Sequence, residues 1–399
     1  MSRQPDHLYV HVPFCRLVCA YCDFVTVGGR RGTIPRYVDA LVGELALRPA
    51  PGELRTIYFG GGTPSLLPAD AVARLVRAAM DRWSGRTAVE EVTLEANPSA
   101  RERPDWAALR AAGITRISLG VQSLRDADLV ALARGHTADE ARDAYRGARA
   151  GGFDNVSVDL IYGIPGQSLD EWRDGLERAL ALDPMPDHLS CYALQLSLAP
   201  DAWAAAPRPG ALRWRRRLEA RQDDGLAAAQ YQLAEELLAA AGYDHYELSS
   251  WARPGRESRH NAAYWARRAY IGLGAGAHSY DGASHRSWNR RDLDGYLERV
   301  AAGERPLGGE EELDDGARAF EAVALGLRRV AGVPRAALEA ELGEGAARQF
   351  DRGVAEGLER GLLEVEGDLV RLSAAGRLLA NEALLGFLPD ARRVPLTSV

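Results

Sequence analysis

The sequence predicts an α/β protein, built as a partial (β/α)6 barrel and followed by a C-terminal, mostly helical, winged-helix-like domain. Apolar, β-branched runs recur six times over about 190 residues, with amphipathic stretches between them. This repetition is typical of a parallel sheet with crossover helices. Glycine and polar residues cluster directly after the runs, where barrel-type sites lie, and this favours a curved sheet over a dinucleotide-binding sheet.

Residues 8–196 alternate between predicted strands and predicted helices. The predicted strands are residues 8–12, 56–60, 91–96, 116–121, 156–163 and 188–196. Apolar residues at three- and four-residue spacing, as one buried helix face requires, predict helices over 37–48, 69–83, 138–152 and 169–182. The Pro- and Ala-rich stretch 197–213 predicts a loop, followed by one long helix from Arg215 to Ala241. The basic run Arg213–Arg217 is predicted to be the solvated start of this helix.

The pattern changes from about residue 311 onward. Three helical patterns precede a hairpin within 362–373 and a closing helix over 374–388. This order is typical of a winged-helix domain, and its negative charge favours a packing or lid role over DNA reading. We therefore expect two domains: residues 1–300 as a core with an extension, and residues 301–399 as an accessory domain.

Composition and charge exclude several classes of protein. Hydrophobic residues make up 46% and charged residues 26%, as in a globular protein, and the net charge of −7 provides no general attraction to nucleic acid. No apolar run approaches the ~18 residues of a membrane span, and the first residues lack a signal-peptide pattern. Four cysteines without an export signal favour a reducing compartment. We expect a cytoplasmic protein with no nucleic-acid partner.

Three of the four cysteines, Cys15, Cys19 and Cys22, lie within eight positions directly after the first strand. Soft thiolates at C-x3-C-x2-C spacing select zinc or iron–sulfur. Zinc would need a fourth ligand, for which His11 is the candidate. A [4Fe–4S] cluster on three thiolates would leave one iron open to chelate the amino and carboxylate groups of S-adenosylmethionine. The remaining cysteine, Cys191, lies in an apolar strand and is predicted to be a small buried hydrophobe.

Further polar and glycine residues follow the predicted strands. The glycine triplet 60–62 would let backbone approach a ligand closely and offer N–H groups to a carboxylate. Glu95 lies at the end of the third strand, where its carboxylate can bind the ammonium of a methionine group. Gln122, Arg134 and Asp159 end later strand–helix segments. Each of these three is equally compatible with an ordinary polar position at the sheet edge.

The cysteine spacing, with an aromatic before the last cysteine, resembles the radical SAM superfamily. The segments YFGGGTPSLL, LEANP, GVQSL, ARGHT and VSVDLIYGIPGQ, in that order, resemble the oxygen-independent coproporphyrinogen III oxidase family over residues 7–290. The resemblance implies a [4Fe–4S] cluster on the three cysteines and bound S-adenosylmethionine. It implies contacts to a first adenosylmethionine from Tyr9, Gly61 and Glu95, to a second from Gly62, Thr63, Gln122, Arg134 and Asp159, and further contacts from Tyr21 and Ala193.

Two departures from the oxidase resemble the haem-chaperone branch of this family, HemW. The oxidase carries a further cysteine two residues after the third, whereas this chain has Cys22-Asp23-Phe24. Residues 257–265, ESRHNAAYW, are similar to the H-N-x-x-Y-W signature of those chaperones. The resemblance implies haem contacts from His260, Asn261, Tyr264 and Trp265, with the imidazole on iron and the rings against the macrocycle. The alternative for His260 is a hydrogen-bonded structural histidine near the barrel mouth.

Three functions stay open on the sequence. The first is a chaperone that binds haem, a [4Fe–4S] cluster and S-adenosylmethionine and delivers haem to an acceptor protein. The second is an oxygen-independent coproporphyrinogen III oxidase of porphyrin biosynthesis, and the third a HemN-like radical SAM methyltransferase. The missing oxidase cysteine favours the first over the second, and the signature argues against the third. An acceptor at a membrane surface and a homodimer are further expectations, and enzymatic activity is left open.

The glycine-rich stretch 272–280, GLGAGAHSY, is compared with a dinucleotide-binding loop. The G-x-G-x-x-G pattern fails because Ala277 occupies its last position, and no acidic residue ends a following βαβ unit. We expect a close-packed glycine turn under the haem or adenosylmethionine site instead.

Overall fold

The computed structural model describes residues 5–49, 53–83, 89–196 and 209–388. Its strands are β1 His7–Val12, β2 Phe14–Cys15, β3 Val27–Gly28, β4 Thr56–Gly61, β5 Glu91–Ala96, β6 Arg116–Gln122, β7 Val156–Tyr162, β8 His188–Ala193, β9 Asp244–Glu247, β10 Ser250–Ala252, β11 Tyr270–Leu273, β12 His278–Tyr280, β13 His285–Asn289, β14 Leu307–Glu312, β15 Val333–Pro334, β16 Leu363–Glu366 and β17 Leu369–Leu372. Its α-helices are α1 Ile34–Ala46, α2 Ala69–Arg82, α3 Trp106–Ala111, α4 Asp126–Ala131, α5 Ala138–Ala150, α6 Leu169–Leu180, α7 Pro209–Glu219, α8 Asp224–Ala240, α9 Arg259–Trp265, α10 Leu293–Ala301, α11 Asp315–Gly326, α12 Arg335–Leu342, α13 Glu344–Glu359, α14 Ala374–Leu378 and α15 Ala380–Leu384. Short 3-10 helices cover Arg31–Thr33, Pro64–Leu66, Ala100–Glu102 and Leu385–Phe387.

One open, twelve-stranded sheet forms the main domain, in the order β14-β13-β12-β11-β1-β4-β5-β6-β7-β8-β10-β9. The six predicted strands form its parallel centre, from β1 through β4 to β8. Strand β11 adds to β1 in parallel on the other side, and the strands beyond β11 and β8 are antiparallel. The α/β prediction is confirmed, but the described strands form an open sheet twice as wide as the predicted six-stranded core.

Side chains alternate in character along the parallel strands, so the sheet has one apolar and one polar face. The apolar set packs against the crossover helices in the main core and includes Leu8, Val10, Ile57, Phe59, Leu94, Ile117, Leu119, Val158 and Leu189. The opposite set includes Tyr9, Tyr58, Thr93, Glu95, Arg116, Ser118, Asp159 and His188. The helices therefore pack on the apolar face of the sheet, and the polar face carries the side chains that could bind a ligand.

The helices begin where local capping allows. Helices α5 and α6 both start with a capping box, in which a Thr or Ser and a Glu three residues on bond each other's backbone N–H groups. The single predicted helix from residue 215 to 241 is wrong. It divides into α7 and α8 because the Asp223 carboxylate accepts the Leu226 N–H and starts a new helix. Residues 197–208 of the predicted loop lie outside the described residues.

The C-terminal region has its own core of buried residues from α11, α12, α13 and the small sheet β15-β17-β16. The predicted hairpin is β16 and β17, and the predicted closing helix divides into α14 and α15. Strand β14 pairs with β13, so the main sheet extends beyond residue 300. No helix within the described ranges is long and apolar enough to cross a bilayer.

A buried carboxylate, Glu44 of α1, joins four separate segments of the main domain. It accepts hydrogen bonds from Arg48 Nε (3.1 Å), the Gly274 N–H (2.8 Å), Asn289 Nδ2 (2.8 Å) and Tyr296 Oη (2.9 Å). The Glu44 side chain is fully buried, and Arg48 is 4% exposed. Helix α1 is thereby tied to the turn after β11, to β13 and to α10.

Replacing Glu44 by Ala should lower the free energy of unfolding by about 3–5 kcal/mol, because Arg48 would keep a buried charge without its partner. Urea unfolding followed by circular dichroism measures this. The matched control is Asp39→Ala in the same helix α1, which breaks the exposed pair of Asp39 (66% exposed) with Arg74 of α2 (48% exposed) and should cost about 1 kcal/mol or less. Equal losses in the two variants would contradict the role given to Glu44.

Candidate functional site

The cysteine loop, residues 13–26, begins directly after β1 and carries all three clustered thiols. Cys15 is buried, and Cys19 and Cys22 are partly exposed. The Cys22 N–H donates to the Cys19 carbonyl (3.2 Å), which turns the loop back on itself. Burial raises the pKa of Cys15 to about 12 and that of Cys22 to about 11, and the neighbouring thiols add to both shifts. The three thiols therefore share one short loop that turns back on itself.

The loop does not form a site for a single metal ion. In residues 5–49, 53–83, 89–196 and 209–388, no group of three or more His, Cys, Asp or Glu side chains is arranged around one ion. His11, the candidate fourth zinc ligand, instead hydrogen-bonds through Nε2 to the Val25 carbonyl (2.8 Å) and through Nδ1 to Tyr9 Oη (3.1 Å). A four-iron cluster asks for a different arrangement, because each thiolate bonds a different iron.

Two arginines hold the cysteine loop. Arg134 donates from Nη1 to Cys19 Sγ (3.0 Å) and from Nη2 to the Gly120 carbonyl (2.9 Å). Arg215 donates from Nε to the Ala20 carbonyl (2.8 Å) and from Nη2 to the Cys22 carbonyl (3.2 Å). These cations suit a loop whose thiols become anionic when they bind metal.

The prediction that the basic run 213–217 is solvated is wrong for Arg215. Arg215 is only 3% exposed, and its Nη2 also pairs with the Asp23 carboxylate (2.5 Å). Arg216 and Arg217, its neighbours in α7, are exposed. The side chain of Arg215 bonds the cysteine loop, and Asp23 compensates its buried charge.

The glycine triplet packs against the start of the cysteine loop. Gly61 has φ +113°, and a Cβ there would lie 2.5 Å from the His11 ring. A Cβ on Gly62 would lie 2.8 Å from the Pro13 and Phe14 carbonyls, and the Gly62 N–H donates to the Val12 carbonyl. The prediction of amides offered to a ligand carboxylate needs correction, because the Gly61 and Gly62 N–H groups are bonded within the protein.

Glu95 is the carboxylate that receives the Gly61 N–H, at Oε2 (3.0 Å). Its other oxygen accepts from Tyr58 Oη (2.8 Å), and burial raises the pKa of Glu95 to about 7. The Tyr58 ring stacks on that of Tyr9, with centroids 6.2 Å apart. Tyr9, Gly61 and Glu95, predicted to share one ligand, therefore lie together on the polar face.

Of the residues predicted for a second ligand, Gln122 and Asp159 lie on the neighbouring strands β6 and β7, and Gly62, Thr63 and Arg134 lie in loops. Thr63 donates from Oγ1 toward Cys15 Sγ (3.7 Å), just after the glycine triplet. Gln122 ends β6 with φ +67°. Asp159 lies in the middle of β7 rather than at its end, and its carboxylate accepts from Ser118 Oγ (2.9 Å). Arg134 contacts the cysteine loop, as described.

The two remaining predicted contacts border the cysteine loop and β8. Tyr21 receives a hydrogen bond from Arg134 Nη1 (3.3 Å) and packs against a small apolar cluster that contains Ile161 and Leu194. Ala193 is the exposed last residue of β8. Cys191, two residues earlier, is 1% exposed, which confirms its prediction as a buried hydrophobe.

His260, predicted to face haem iron, is buried near the amino ends of the strands. It is 0% exposed, its Nδ1 bonds Thr56 Oγ1 (2.7 Å) and its Nε2 bonds Tyr264 Oη (2.9 Å). Its backbone N–H donates to Glu91 Oε1 (3.1 Å). Thr56 and Glu91 begin β4 and β5, so His260 packs at the amino ends of the strands, opposite the cysteine loop. Both ring nitrogens of His260 are therefore hydrogen-bonded within the protein.

The other signature residues have separate surroundings. The Asn261 N–H donates to Ser258 Oγ at the start of α9 (3.4 Å). The Arg328 guanidinium lies 4.4 Å from the centroid of the Trp265 ring, in the C-terminal region. Tyr264 lines a cavity between the end of β1, the cysteine loop and the glycine turn 272–280.

The glycine-rich stretch 272–280 forms a close-packed turn, as predicted. Gly274 has φ +99°, and a Cβ there would lie 2.5 Å from the His11 carbonyl oxygen. Gly276 has φ +75°, and a Cβ there would lie 2.9 Å from Val25 Cγ2. The turn therefore packs directly against β1 and the cysteine loop.

Sequence reasoning missed Arg215 and Tyr58. Tyr58 had an available signal, because it alternates with apolar residues on the second strand and so shares the face of Tyr9 and Glu95. Arg215 had none, since a run of four arginines around one tryptophan does not identify which side chain is buried.

Comparison with known families defines the class of protein. Residues 9–179 match the family model described as the radical SAM superfamily, and residues 313–379 match the HemN C-terminal domain. The fold and the three-cysteine loop are thus those of a radical SAM protein. Superfamily membership implies a [4Fe–4S] cluster and S-adenosylmethionine, and the donor set, three thiols beside two arginines, fits such a cluster.

Curated relatives identify the family within that class. The chain is 40% identical to the heme chaperone HemW of Mycobacterium tuberculosis, over 96% of this chain and 94% of the relative. It is 34% identical to the heme chaperone HemW of Escherichia coli, over 97% and 99% of the two chains. The chain therefore belongs to the HemW family of heme chaperones.

A solved structure bears on the fold alone. The coproporphyrinogen III oxidase HemN of Escherichia coli is similar with a TM-score of 0.79, over 96% of this chain and 90% of that one, at 23% identity. Both domains of the chain therefore have the HemN-type fold.

Replacing Arg215 by Ala should weaken retention of iron by the cysteine loop. The guanidinium bonds two loop carbonyls and Asp23, and each such charged hydrogen bond is worth about 1.5–3 kcal/mol. Iron content after anaerobic purification and the rate of loss of the cluster absorbance in air measure the effect. Arg216→Ala, one residue away and exposed, is the matched control. Equal iron retention in the two variants would show that the loop does not depend on Arg215.

Proposed function

We propose that this protein is a haem chaperone, which binds haem and delivers it to an acceptor protein. The observation that carries the proposal is similarity over essentially the whole chain, both domains included, to proteins named heme chaperone HemW. For the haem contacts, the signature residues His260, Asn261, Tyr264 and Trp265 stay a prediction, and His260 is fully buried in this structure.

We further propose Cys15, Cys19 and Cys22 as the ligands of the [4Fe–4S] cluster. The hydrogen bond from Arg134 to Cys19 and the packing of the glycine triplet on the loop support this assignment. The cluster supplies a coordination position and one-electron chemistry when bound. The protein's own part is to hold the loop and to balance the charge of its thiolates.

For S-adenosylmethionine we propose the polar face beside the cysteine loop. The closeness of Tyr9, Gly61 and Glu95 supports one adenosylmethionine there. A second, contacted by Gly62, Thr63, Gln122, Arg134 and Asp159, has weaker support, because Arg134 and Asp159 are engaged with the cysteine loop and with serines. Tyr21 and Ala193 complete the proposed set.

Oxygen-independent coproporphyrinogen III oxidase is the second candidate, since the fold is that of HemN. The segment Cys22-Asp23-Phe24 favours the chaperone. Where the oxidase has its extra cysteine, this chain has Phe24, which is 63% exposed and contributes no thiol.

The domain arrangement and the partners are also proposals. We place the boundary near residue 312, because β14 pairs within the main sheet and the HemN C-terminal match begins at residue 313. A haem acceptor at a membrane surface, a homodimer and a cytoplasmic location stay predictions.

Glu95→Gln should weaken S-adenosylmethionine binding by about 1.5–3 kcal/mol, because the charge opposite the ammonium is lost. Since the pKa of Glu95 is raised to about 7, the wild-type affinity should fall as the pH drops through 7 and the carboxyl takes up a proton. The Gln variant should lack this component, and the ligand's own titration is common to both proteins. Calorimetry on cluster-loaded protein between pH 6 and 8 measures it. Identical pH profiles would mean that Glu95 does not face the ligand.

The two candidate functions, chaperone and oxidase, can be distinguished on one anaerobic sample of the protein with its cluster reconstituted. We expect haem addition to produce a shifted Soret band, and coproporphyrinogen III to remain unconverted with S-adenosylmethionine and dithionite present. A known oxidase assayed in parallel verifies the reductant. Conversion to protoporphyrinogen by this protein would overturn the proposed function.

A further inference from the structure

A polar cavity of about 310 Å³ opens between the segments that follow β4 and β5 and the short 3-10 helix before α1. Its lining comes from residues 65–69, residues 101–105, Arg31 and Leu109. Leu67 and Leu109 also belong to the main core, so the cavity lies on the helix side of the sheet. None of the residues proposed to contact S-adenosylmethionine lines it. This cavity is therefore separate from the site on the polar face.

Helix α2 begins at the cavity and has no side-chain cap. Its N-cap position is Pro68, which has no side-chain acceptor, and Pro68 and Ala69 both line the cavity. Within the described chain, Asp70 Oδ1 accepts the Ala71 N–H (2.9 Å), and the Ala69 N–H has no acceptor. The start of a helix carries unpaired N–H groups and partial positive charge. This 14-residue helix therefore presents the elements of an anion site to the cavity.

Two buried polar atoms of the cavity wall have no hydrogen-bond partner among the described residues. They are Ser65 Oγ and Glu102 Oε2, and the two residues are only 5% and 6% exposed. Buried polar atoms are nearly always paired, because an unpaired one is unfavourable. A ligand that accepts from Ser65 and donates to Glu102 would satisfy both.

Three exposed arginines, Arg31, Arg101 and Arg103, also line the cavity. Arg31 and Arg101 form no ion pair with a described residue, and Arg103 lies 3.9 Å from the exposed Asp143. Guanidinium groups bind phosphate by paired, charge-assisted hydrogen bonds. Together with the start of α2, these side chains favour a phosphate group as the ligand.

The two carboxylates of the wall differ in their partners. Asp105 Oδ1 accepts the Ala108 N–H (2.9 Å) and caps helix α3. Burial raises the pKa of Glu102, and the positive charges of nearby arginines oppose the rise. Glu102 Oε2 therefore suits a hydroxyl donor, in the way that an acidic side chain binds a ribose hydroxyl in other proteins.

We propose that this cavity binds a phosphorylated polyol, that is, a sugar phosphate or a nucleotide. The phosphate lies at the start of α2 and accepts from the Ser65 hydroxyl and the arginines, and a hydroxyl of the ligand donates to Glu102 Oε2. The volume of about 310 Å³ is at the lower end of the ~300–1,000 Å³ of small-molecule sites, which suits a ligand of this size. The inference goes beyond the proposed function and does not depend on it.

Hydrogen bonds connect the cavity to the cysteine loop. Arg16 Nη1 donates to the Arg101 carbonyl (3.5 Å), and the Leu66 N–H donates to the Thr63 carbonyl (3.0 Å). Thr63 Oγ1 in turn lies 3.7 Å from Cys15 Sγ. A ligand in the cavity holds these segments together, so it should slow the loss of the cluster absorbance in air.

The first test is calorimetry on full-length, cluster-loaded protein in phosphate-free buffer. The probes are inorganic phosphate, ribose 5-phosphate and adenosine 5′-monophosphate, with ribose and adenosine as controls that lack phosphate. We expect the three phosphate probes to bind, and ribose 5-phosphate to bind more tightly than inorganic phosphate. The tighter of the two esters identifies the ligand as a sugar phosphate or a nucleotide. Saturating S-adenosylmethionine should leave these affinities unchanged.

The second test addresses the phosphate contacts. Arg101→Ala should weaken all three probes about tenfold or more, because a charged hydrogen bond is lost. Arg77→Ala is its control, since Arg77 is an exposed arginine of α2 that does not line the cavity. Ala69→Pro should also weaken binding, because it removes the N–H at a position where helices accept proline, and Pro68 with ψ 145° suits a following proline. Ala69→Gly keeps the N–H and is the matched control.

The third test addresses the two buried polar atoms. Glu102→Gln should reduce the preference for ribose 5-phosphate over inorganic phosphate, because the charged acceptor of the hydroxyl is lost. Ser65→Ala should weaken the phosphate probes but leave the Tm of the ligand-free protein unchanged or higher, since this hydroxyl has no partner in the described chain. A serine with a structural hydrogen bond would lower the Tm instead. Iron content and circular dichroism verify the cluster and the fold of each variant.

The outcomes separate the site from the proposed function. No binding of any phosphate probe by the wild type overturns the site and leaves the chaperone function untouched. Displacement of the probes by S-adenosylmethionine overturns a separate site. Equal affinities in wild type and Arg101→Ala overturn the phosphate contact, and an unchanged preference in Glu102→Gln overturns the hydroxyl contact. Cluster loss in air at the same rate with and without saturating probe overturns the connection to the cysteine loop.

Discussion

The main domain depends on the hydrogen bonds of the buried Glu44 carboxylate, which tie helix α1 to the segments that follow β11. Its oxygens bond Arg48 of α1 and also the turn after β11, β13 and α10. These last three segments lie more than 200 residues further along the chain than Glu44. A buried charge requires such partners, because an unpaired carboxylate in the interior is strongly unfavourable. By fixing the turn at Gly274, it also supports Gly276 and Ala277, which line a cavity beside the cysteine loop. The same hydrogen bonds therefore hold the glycine turn beside the cysteine loop.

Strand alternation divides the work between the two faces of the sheet. Apolar residues on one face pack against the crossover helices. The other face carries tyrosines, carboxylates and serines at positions that pair across neighbouring strands. Tyr58, Glu95 and Gly61 meet there by hydrogen bonds across neighbouring strands. Because parallel strands all end at the same edge, the cysteine loop after β1 and these groups of β4 and β5 converge although they come from separate segments of the chain.

The cysteine loop illustrates how charge is balanced around thiols. Arg134 reaches Cys19 from the segment after α4, and Arg215 reaches the loop carbonyls from α7. Asp23 then neutralises Arg215 and so stabilises the loop. The signature histidine, His260, lies away from this loop. Both of its ring nitrogens form hydrogen bonds within the protein, near the amino ends of the strands. A motif identifies relatives, but it does not reveal whether a side chain faces solvent.

The sequence by itself determined the α/β class, the six parallel strands, the hairpin of the C-terminal domain and the three-cysteine loop, because period, spacing and residue type are local properties. It also placed Tyr9, Gly61 and Glu95 at one site through the resemblance to a family. Only the tertiary structure decided that β11 extends the sheet beside β1, that Arg215 is buried while Arg216 is exposed, and that His278 rather than His260 borders a cavity. Burial and hydrogen-bond partners depend on contacts between segments hundreds of residues apart, and no local pattern contains that information.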